Sequence, residues 1–230
     1  MKFTDNIEKA IFIKRPNRFN AHVLLNGEEI VVHVPNTGRC REILIPDAKV
    51  ILREGLNPNR KTRYDLIAAY KEDKLINIDS QVPNKVVKEA LHRGFIEELK
   101  NYTVIESEKF YGKSRFDFRL SNSPEDLYYL EVKGVTLENF GEARFPDAPT
   151  ERGARHVMEL VDAKREGHGA GILFLIQMKE VISFSPNYDM DPAFGNAVKF
   201  AKENDVDIYA YNCQVTEESI EILKPVNIKL

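Results

Sequence analysis

Asp117, Glu131 and Lys133 are the side chains of this 230-residue chain that strand alternation can bring to one point. In Arg115-Phe116-Asp117-Phe118-Arg119, alternation predicts Phe116 and Phe118 on one face and Arg115, Asp117 and Arg119 on the other. The turn-rich stretch Ser121-Asn122-Ser123-Pro124-Glu125-Asp126 follows, and then Tyr128-Tyr129-Leu130-Glu131-Val132-Lys133, in which Glu131 and Lys133 share a face. If the two segments form a hairpin, Asp117 and Glu131 converge. Two convergent carboxylates make a site for a hard cation such as Mg²⁺ or Mn²⁺, with the Val132 carbonyl as a third ligand. Lys133 beside them can position an attacking water or stabilise charge developing on a phosphate. The plainer alternative for the same residues is a cross-strand salt bridge.

The elements that must position these groups fall into two parts. Residues 1–82 read as β: short alternating runs at Ala10 to Lys14, Arg18 to Leu25, Glu29 to Val34, Lys49 to Arg53, Tyr64 to Tyr70 and Lys74 to Ile78, with a hairpin turn at Asn26-Gly27 and a helical turn at Arg39 to Leu44. That number of strands in so short a segment predicts a small barrel of the OB type. Pro83 and a capping Asn84 open the second part, 83–230. Its order is a helix over 84–93, strands over 102–106, 114–120 and 127–133, a loop over 134–149, a helix from Thr150 to Glu166 and a buried strand from Ala170 to Gln177. A helix near 191–204 and strands near 206–215 and 220–224 complete it. The core is αβββαβ, so the expected class is mixed α/β in two domains.

The net charge of −3 hides an asymmetry. Residues 1–83 hold 14 Lys and Arg against 11 Asp and Glu, and the remainder holds 19 against 25. Basic residues crowd between Lys14 and Arg63, flanking strand breaks, and Arg15, Arg18, Arg39 and Arg41 are the candidates for polyanion contacts. Two distant cysteines, Cys40 and Cys213, exclude a disulfide scaffold and a zinc finger and fit a reducing cytoplasm. No apolar run approaches the roughly 20 residues of a membrane span, so no membrane partner is expected. A homo-oligomer is compatible with the sequence.

An acidic residue followed by Glu-x-Lys on the adjacent strand, within αβββαβ, resembles the PD-(D/E)xK nuclease family, with Phe116 where that pattern has Pro. The literal Pro46-Asp47 and Pro146-Asp147 strings lack a strand-borne Glu-x-Lys and are set aside. Glu89 resembles the additional acidic catalytic residue that many such nucleases carry on their first helix. Arg152 and Arg155, with His156, open the helix after Thr150, where a phosphate could be held. A wider resemblance covers about residues 10 to 215. It is carried by Arg15-Pro16-Asn17-Arg18-Phe19, His33-Val34-Pro35-Asn36-Thr37-Gly38-Arg39-Cys40, Ser114-Arg115-Phe116-Asp117-Phe118, Glu131-Val132-Lys133-Gly134-Val135-Thr136-Leu137 and Phe145-Pro146-Asp147-Ala148-Pro149-Thr150-Glu151-Arg152-Gly153. Together these are similar to the sugar fermentation stimulation protein A family. The resemblance implies a cytoplasmic protein with an N-terminal OB-like domain and a C-terminal nuclease-like domain, binding DNA with little sequence preference and connected with the regulation of sugar metabolism. Two readings follow: a Mg²⁺- or Mn²⁺-dependent DNA phosphodiesterase, or a non-catalytic DNA-binding regulator that uses the nuclease fold only for binding.

Overall fold

The computed structural model describes residues 1–3, 6–57 and 59–230. Six strands form the first unit: β1 (Ile7–Lys14), β2 (Asn20–Leu25), β3 (Glu28–His33), β4 (Lys49–Glu54), β5 (Tyr64–Lys71) and β6 (Lys74–Asn77). Asn26 and Gly27 both have positive φ, 52° and 87°, the geometry of a two-residue hairpin whose twist matches its strands, and they place Leu25 opposite Glu28. Neighbours run β3-β2-β1-β4-β5, and a parallel pairing of His33 with Asp65 joins β3 back to β5. Five strands therefore close a barrel of OB connectivity, with β6 added beside β5. The segment read as a helical turn at Arg39 to Leu44 is a turn in which Cys40 O accepts from the N–H groups of Ile43 and Leu44.

The second unit contains α1 (Val82–His92), β7 (Val104–Tyr111), β8 (Ser114–Ser121), β9 (Leu127–Val135), β10 (Leu137–Asn139), β11 (Glu142–Phe145), α2 (Glu151–Arg165), β12 (Gly169–Ile176), β13 (Ser183–Pro186), α3 (Pro192–Glu203), β14 (Asp207–Val215), β15 (Ile220–Pro225) and β16 (Asn227–Ile228). Its main sheet runs β15-β14-β12-β9-β8-β7, with β12 parallel to both β9 and β14. A strand inside a parallel stack is buried on both faces, which is why Ala170 to Ile176 is a continuous apolar run. Leu173 and Leu175 face a cluster with Val86, Val87 and Leu91 of α1, while Ile172, Phe174 and Ile176 face α2 and α3. Thr150 caps α2 by accepting from Gly153 N at 3.0 Å.

Three findings depart from the sequence reading. The segment 134–149, expected as a loop, contains the β10–β11 hairpin, which joins β13 and β16 in a second sheet. α1 begins at Val82 and is preceded by Gln81, so Asn84 lies inside its first turn instead of capping it. Phe116 and Phe118, expected on one face, pack into different clusters, Phe116 on the α2 side and Phe118 on the α1 side. Glu108, opposite Asp117, has φ +57°, and the β7–β8 pairing skips that position. The β8–β9 pairing ends one step earlier, at Phe118–Leu130. Freed from both neighbours, β8 rotates at Asp117.

Met1 to Phe3 lie against the second unit, with Phe3 N donating to Glu218 O at 2.8 Å and Ile220 N to Met1 O at 3.0 Å. The apolar core is continuous between the units, since Val34, Cys40, Ile43 and Ile78 belong to the same cluster as Val135, Phe174 and Phe184. Among the described residues no helix is long and apolar enough to cross a membrane.

Candidate metal centre and arginine-lined cleft

The break in β8 releases the Asp117 carboxylate toward two partners. Its Oδ2 accepts from Val132 N at 2.7 Å and its Oδ1 from Asn84 Nδ2 at 2.6 Å. The side chain thus replaces a ladder bond. The N–H and C=O of one strand residue point to the same edge, so the Val132 carbonyl also faces Asp117, beyond the end of the ladder.

Glu131 is buried, 4 % exposed. Its Oε1 accepts from Lys133 Nζ at 2.6 Å and lies 2.7 Å from His156 Nδ1. Arg152 Nε donates to His156 Nε2 at 3.3 Å, and because a guanidinium has no acceptor, Nε2 must accept and the ring proton sits on Nδ1. The imidazole N–H therefore points at Glu131. The second oxygen of Glu131, Oε2, is buried without a hydrogen-bond partner. Burial and the facing charge of Glu131 push the Asp117 carboxyl up to about 6, although Val132 N–H and Asn84 favour its ionised form. Burial also works against the charge of Glu131, but His156 and Lys133 outweigh it and hold its carboxyl below the ordinary range.

A metal fits this donor set. Two carboxylates and a carbonyl are all hard oxygens, one carboxylate oxygen is orphaned, and the other acid is destabilised by its neighbour's charge. Mg²⁺ is commonly held by one or two carboxylates with several waters retained. Among the described residues no group of three or more His, Cys, Asp and Glu side chains forms a metal cage, so any ion here would be only partly enclosed by protein.

Not every predicted residue joins the site. Glu89 pairs instead with the Met1 amino group at 2.8 Å and with Arg93 at 3.5 Å. Five residues beyond Asn84 on a helix means about 140° around the axis, which turns Glu89 away. Asn84 takes the place expected for an acidic residue on α1. Arg155 is exposed and lies 3.9 Å from Glu159. At the start of α2 two of the backbone donors are already occupied, as Thr150 N donates to Asp191 and Gly153 N to Thr150. His156, noted only as a helix neighbour of Arg152, proves to be a direct partner of Glu131. The signal available was its position four residues after Arg152 on the helix face turned to β9.

A cleft of about 1030 Å³ separates the barrel from the second unit. Gly134, Ser80 and Thr150 line it, and these flank the three elements of the carboxylate site: Lys133 on β9, the start of α1, and α2. Arg18, Arg39 and Arg41 line its barrel side and are exposed. Arg15 differs, because its guanidinium is spent on the backbone. Nη1 donates to the carbonyls of Gly38 and Arg39 at 2.9 and 3.0 Å, and Nη2 to those of Arg18 and Asn36, both at 2.6 Å. Its role is to brace the 36–39 loop. Arg15→Ala is expected to cost about 2–3 kcal/mol, from the loss of several charge-assisted hydrogen bonds. Arg15→Lys should recover little of this, because an ammonium cannot span four carbonyls as a fork does. Urea unfolding of both variants checks it, and equal stability of Arg15→Lys and the parent chain would refute the brace.

The profile of the SfsA N-terminal OB domain matches residues 13–78, and that of the sugar fermentation stimulation protein RE domain matches residues 81–219. A sugar fermentation stimulation protein homolog of Clostridium perfringens is 62% identical over 230 residues, covering 100% of both chains. One from Clostridium botulinum is 63% identical over the same span, again with 100% of both chains covered. Among solved structures, that of Pyrococcus furiosus SfsA in complex with Ca²⁺ superposes with a TM-score of 0.89 at 27% identity, covering 100% of each chain. With both of its parts matched in order and relatives alike along their whole length, the chain belongs to the sugar fermentation stimulation protein family.

Proposed function

We propose that this protein binds DNA with little sequence preference in the cytoplasm and hydrolyses phosphodiesters at the Asp117–Glu131 site. The observation that carries the reading is the orphaned Glu131 Oε2 beside the strained Asp117 carboxylate, on elements that border a cleft walled by Arg18, Arg39 and Arg41. Asp117, Glu131 Oε2 and the Val132 carbonyl would hold Mg²⁺ or Mn²⁺, and the Ca²⁺ bound by the Pyrococcus furiosus relative supports a hard cation. Such an ion supplies Lewis-acid stabilisation of phosphate charge and a more acidic bound water. Lys133 holds Glu131 and presents an ammonium toward the water that attacks the phosphorus. His156, itself held by Arg152, fixes the same oxygen, Oε1, and leaves Oε2 free for the ion. The exposed arginines of the barrel wall neutralise neighbouring phosphates of the bound strand.

A second reading has support of its own. Lys133 and His156 already compensate Glu131, so the same geometry suits a binding protein, of the kind that could serve in regulation, with no hydrolysis. Calorimetric Mn²⁺ titration together with nicking of supercoiled duplex and of single-stranded circular DNA separates the two. Metal binding with nicking supports the phosphodiesterase, metal binding without nicking supports the second reading, and no metal binding removes the metal centre.

DNA affinity itself is expected to respond to Arg39→Ala with Arg41→Ala. The double variant should bind unrelated sequences more weakly by one common factor. Its log–log salt slope should flatten by about 2, close to 0.9 for each lost phosphate contact. An unchanged slope in a folded double variant would exclude these two residues from the interface.

A further inference from the structure

We infer that the cleft is a channel for one unpaired DNA strand and that Phe19 is a stacking face at its mouth; the inference rests on the DNA-binding reading above. Its two walls differ in charge. The cations that line it, Lys14, Arg18, Arg39 and Arg41, all stand on the barrel side, and the other side presents Phe145 and Pro149 with the polar Thr150 and Gln177 and no Lys or Arg among the described residues. A single strand has phosphates along one edge and unstacked bases along the other. It can lay its backbone on a basic wall and its bases on the opposite one. A duplex keeps its bases stacked inside and shows a phosphate backbone on both flanks. The second backbone would meet the Asp147 carboxylate, which lies on the side opposite the barrel and accepts from Arg39 N at 2.9 Å.

The separation of the walls is also fixed. At the floor, Gln177 Nε2 donates to Asn77 Oδ1 at 2.7 Å, and Asn77 N donates to Gln177 O at 3.0 Å. Across the rim, the Arg39–Asp147 bond ties the 36–39 loop to the second unit. Gly38 permits that approach, since a Cβ there would lie 2.6 Å from Asp147 Oδ2. With both ends tied, the cleft cannot widen without breaking these bonds.

Phe19 follows Arg18 in the β1–β2 connection and is 56% exposed. Phe19 itself is outside the cleft lining, but Arg18 before it belongs to that lining, and an exposed ring next to a phosphate-binding arginine can stack a base without reading it.

The test is fluorescence anisotropy of the full chain with a mixed-sequence single-stranded oligonucleotide and with the blunt duplex of the same length, at one salt concentration. The single strand is expected to bind at least tenfold more tightly. Phe19→Ala should weaken single-strand binding by roughly tenfold and leave duplex binding unchanged. Because Phe19 is a surface residue, the variant should keep the parent's circular dichroism. Equal or tighter binding of the duplex, or no effect of Phe19→Ala on the single strand, overturns the inference and leaves DNA binding intact. Failure to bind either probe overturns both.

Discussion

Asp117→Asn is expected to abolish Mn²⁺ binding and, in the absence of metal, to stabilise the fold by about 3 kcal/mol at pH 7. The second effect follows from linkage. The Asp117 carboxyl is pushed from 3.8 up to about 6 in the folded protein. A shift of about two units, at about 1.36 kcal/mol each, gives that figure. The sign is fixed by which state holds more protons. Between pH 4 and 6 the folded chain keeps a proton that the unfolded chain has lost, so stability from this group is present at low pH and disappears as pH rises through 6. Asparagine cannot ionise, so its advantage should grow over the same interval and vanish below pH 4. The substitution preserves shape, and Asn84 can reverse its amide to accept from the new one. Urea midpoints at pH 4 and pH 7, with calorimetric metal titration, measure both effects. A variant less stable than the parent at pH 7 would return Asp117 to an ordinary structural contact. Retained Mn²⁺ affinity would place the ion elsewhere.

Lys133→Ala should separate coordination from chemistry. Lys133 touches Glu131 Oε1 and not the orphaned Oε2, and His156 remains on Oε1 after the ammonium is removed. Mn²⁺ should therefore still bind, somewhat more weakly, because a neighbouring cation no longer favours the ionised Glu131. Nicking of supercoiled DNA should fall by about 10²–10⁴-fold, the usual worth of a positioned proton-handling group. DNA affinity should hold, since the contacts with phosphate belong to the exposed arginines. Cleavage at the parental rate would show that the water is held by another group.

How much of this could be read before the structure depends on the kind of contact. The strand–turn–strand pattern from Ser114 to Lys133 was enough to put Asp117 and Glu131 on adjacent strands, although the alternation predicted for Arg115 to Arg119 breaks at Asp117. The break that turns Asp117 to Val132 N was not legible, as it depends on Glu108 in a left-handed conformation one strand away. Arg15 shows a similar limit. Its type suggested phosphate, and only the loop geometry reveals four carbonyls competing for it. Glu89 and Asn84 share a helix, and a helix called two residues late, with no partner to orient it, could not say which faces the site. The β10–β11 hairpin escaped because three- and four-residue strands carry too few alternations to register. Gly141, which sits at positive φ in its turn, was the one sign the sequence carried.

The contact of Met1 to Phe3 with the β14–β15 turn bears on how the barrel can move. The barrel does not hang from a single linker at residues 78–81. The chain starts on the second unit, leaves it to build the barrel, and returns, so the barrel is topologically an excursion with both ends moored to the same body. Together with the shared apolar core and the floor and rim bonds of the cleft, this contact holds the barrel to the second unit as one body. Any modification that detaches the first three residues should loosen that hold without touching a single residue of the cleft.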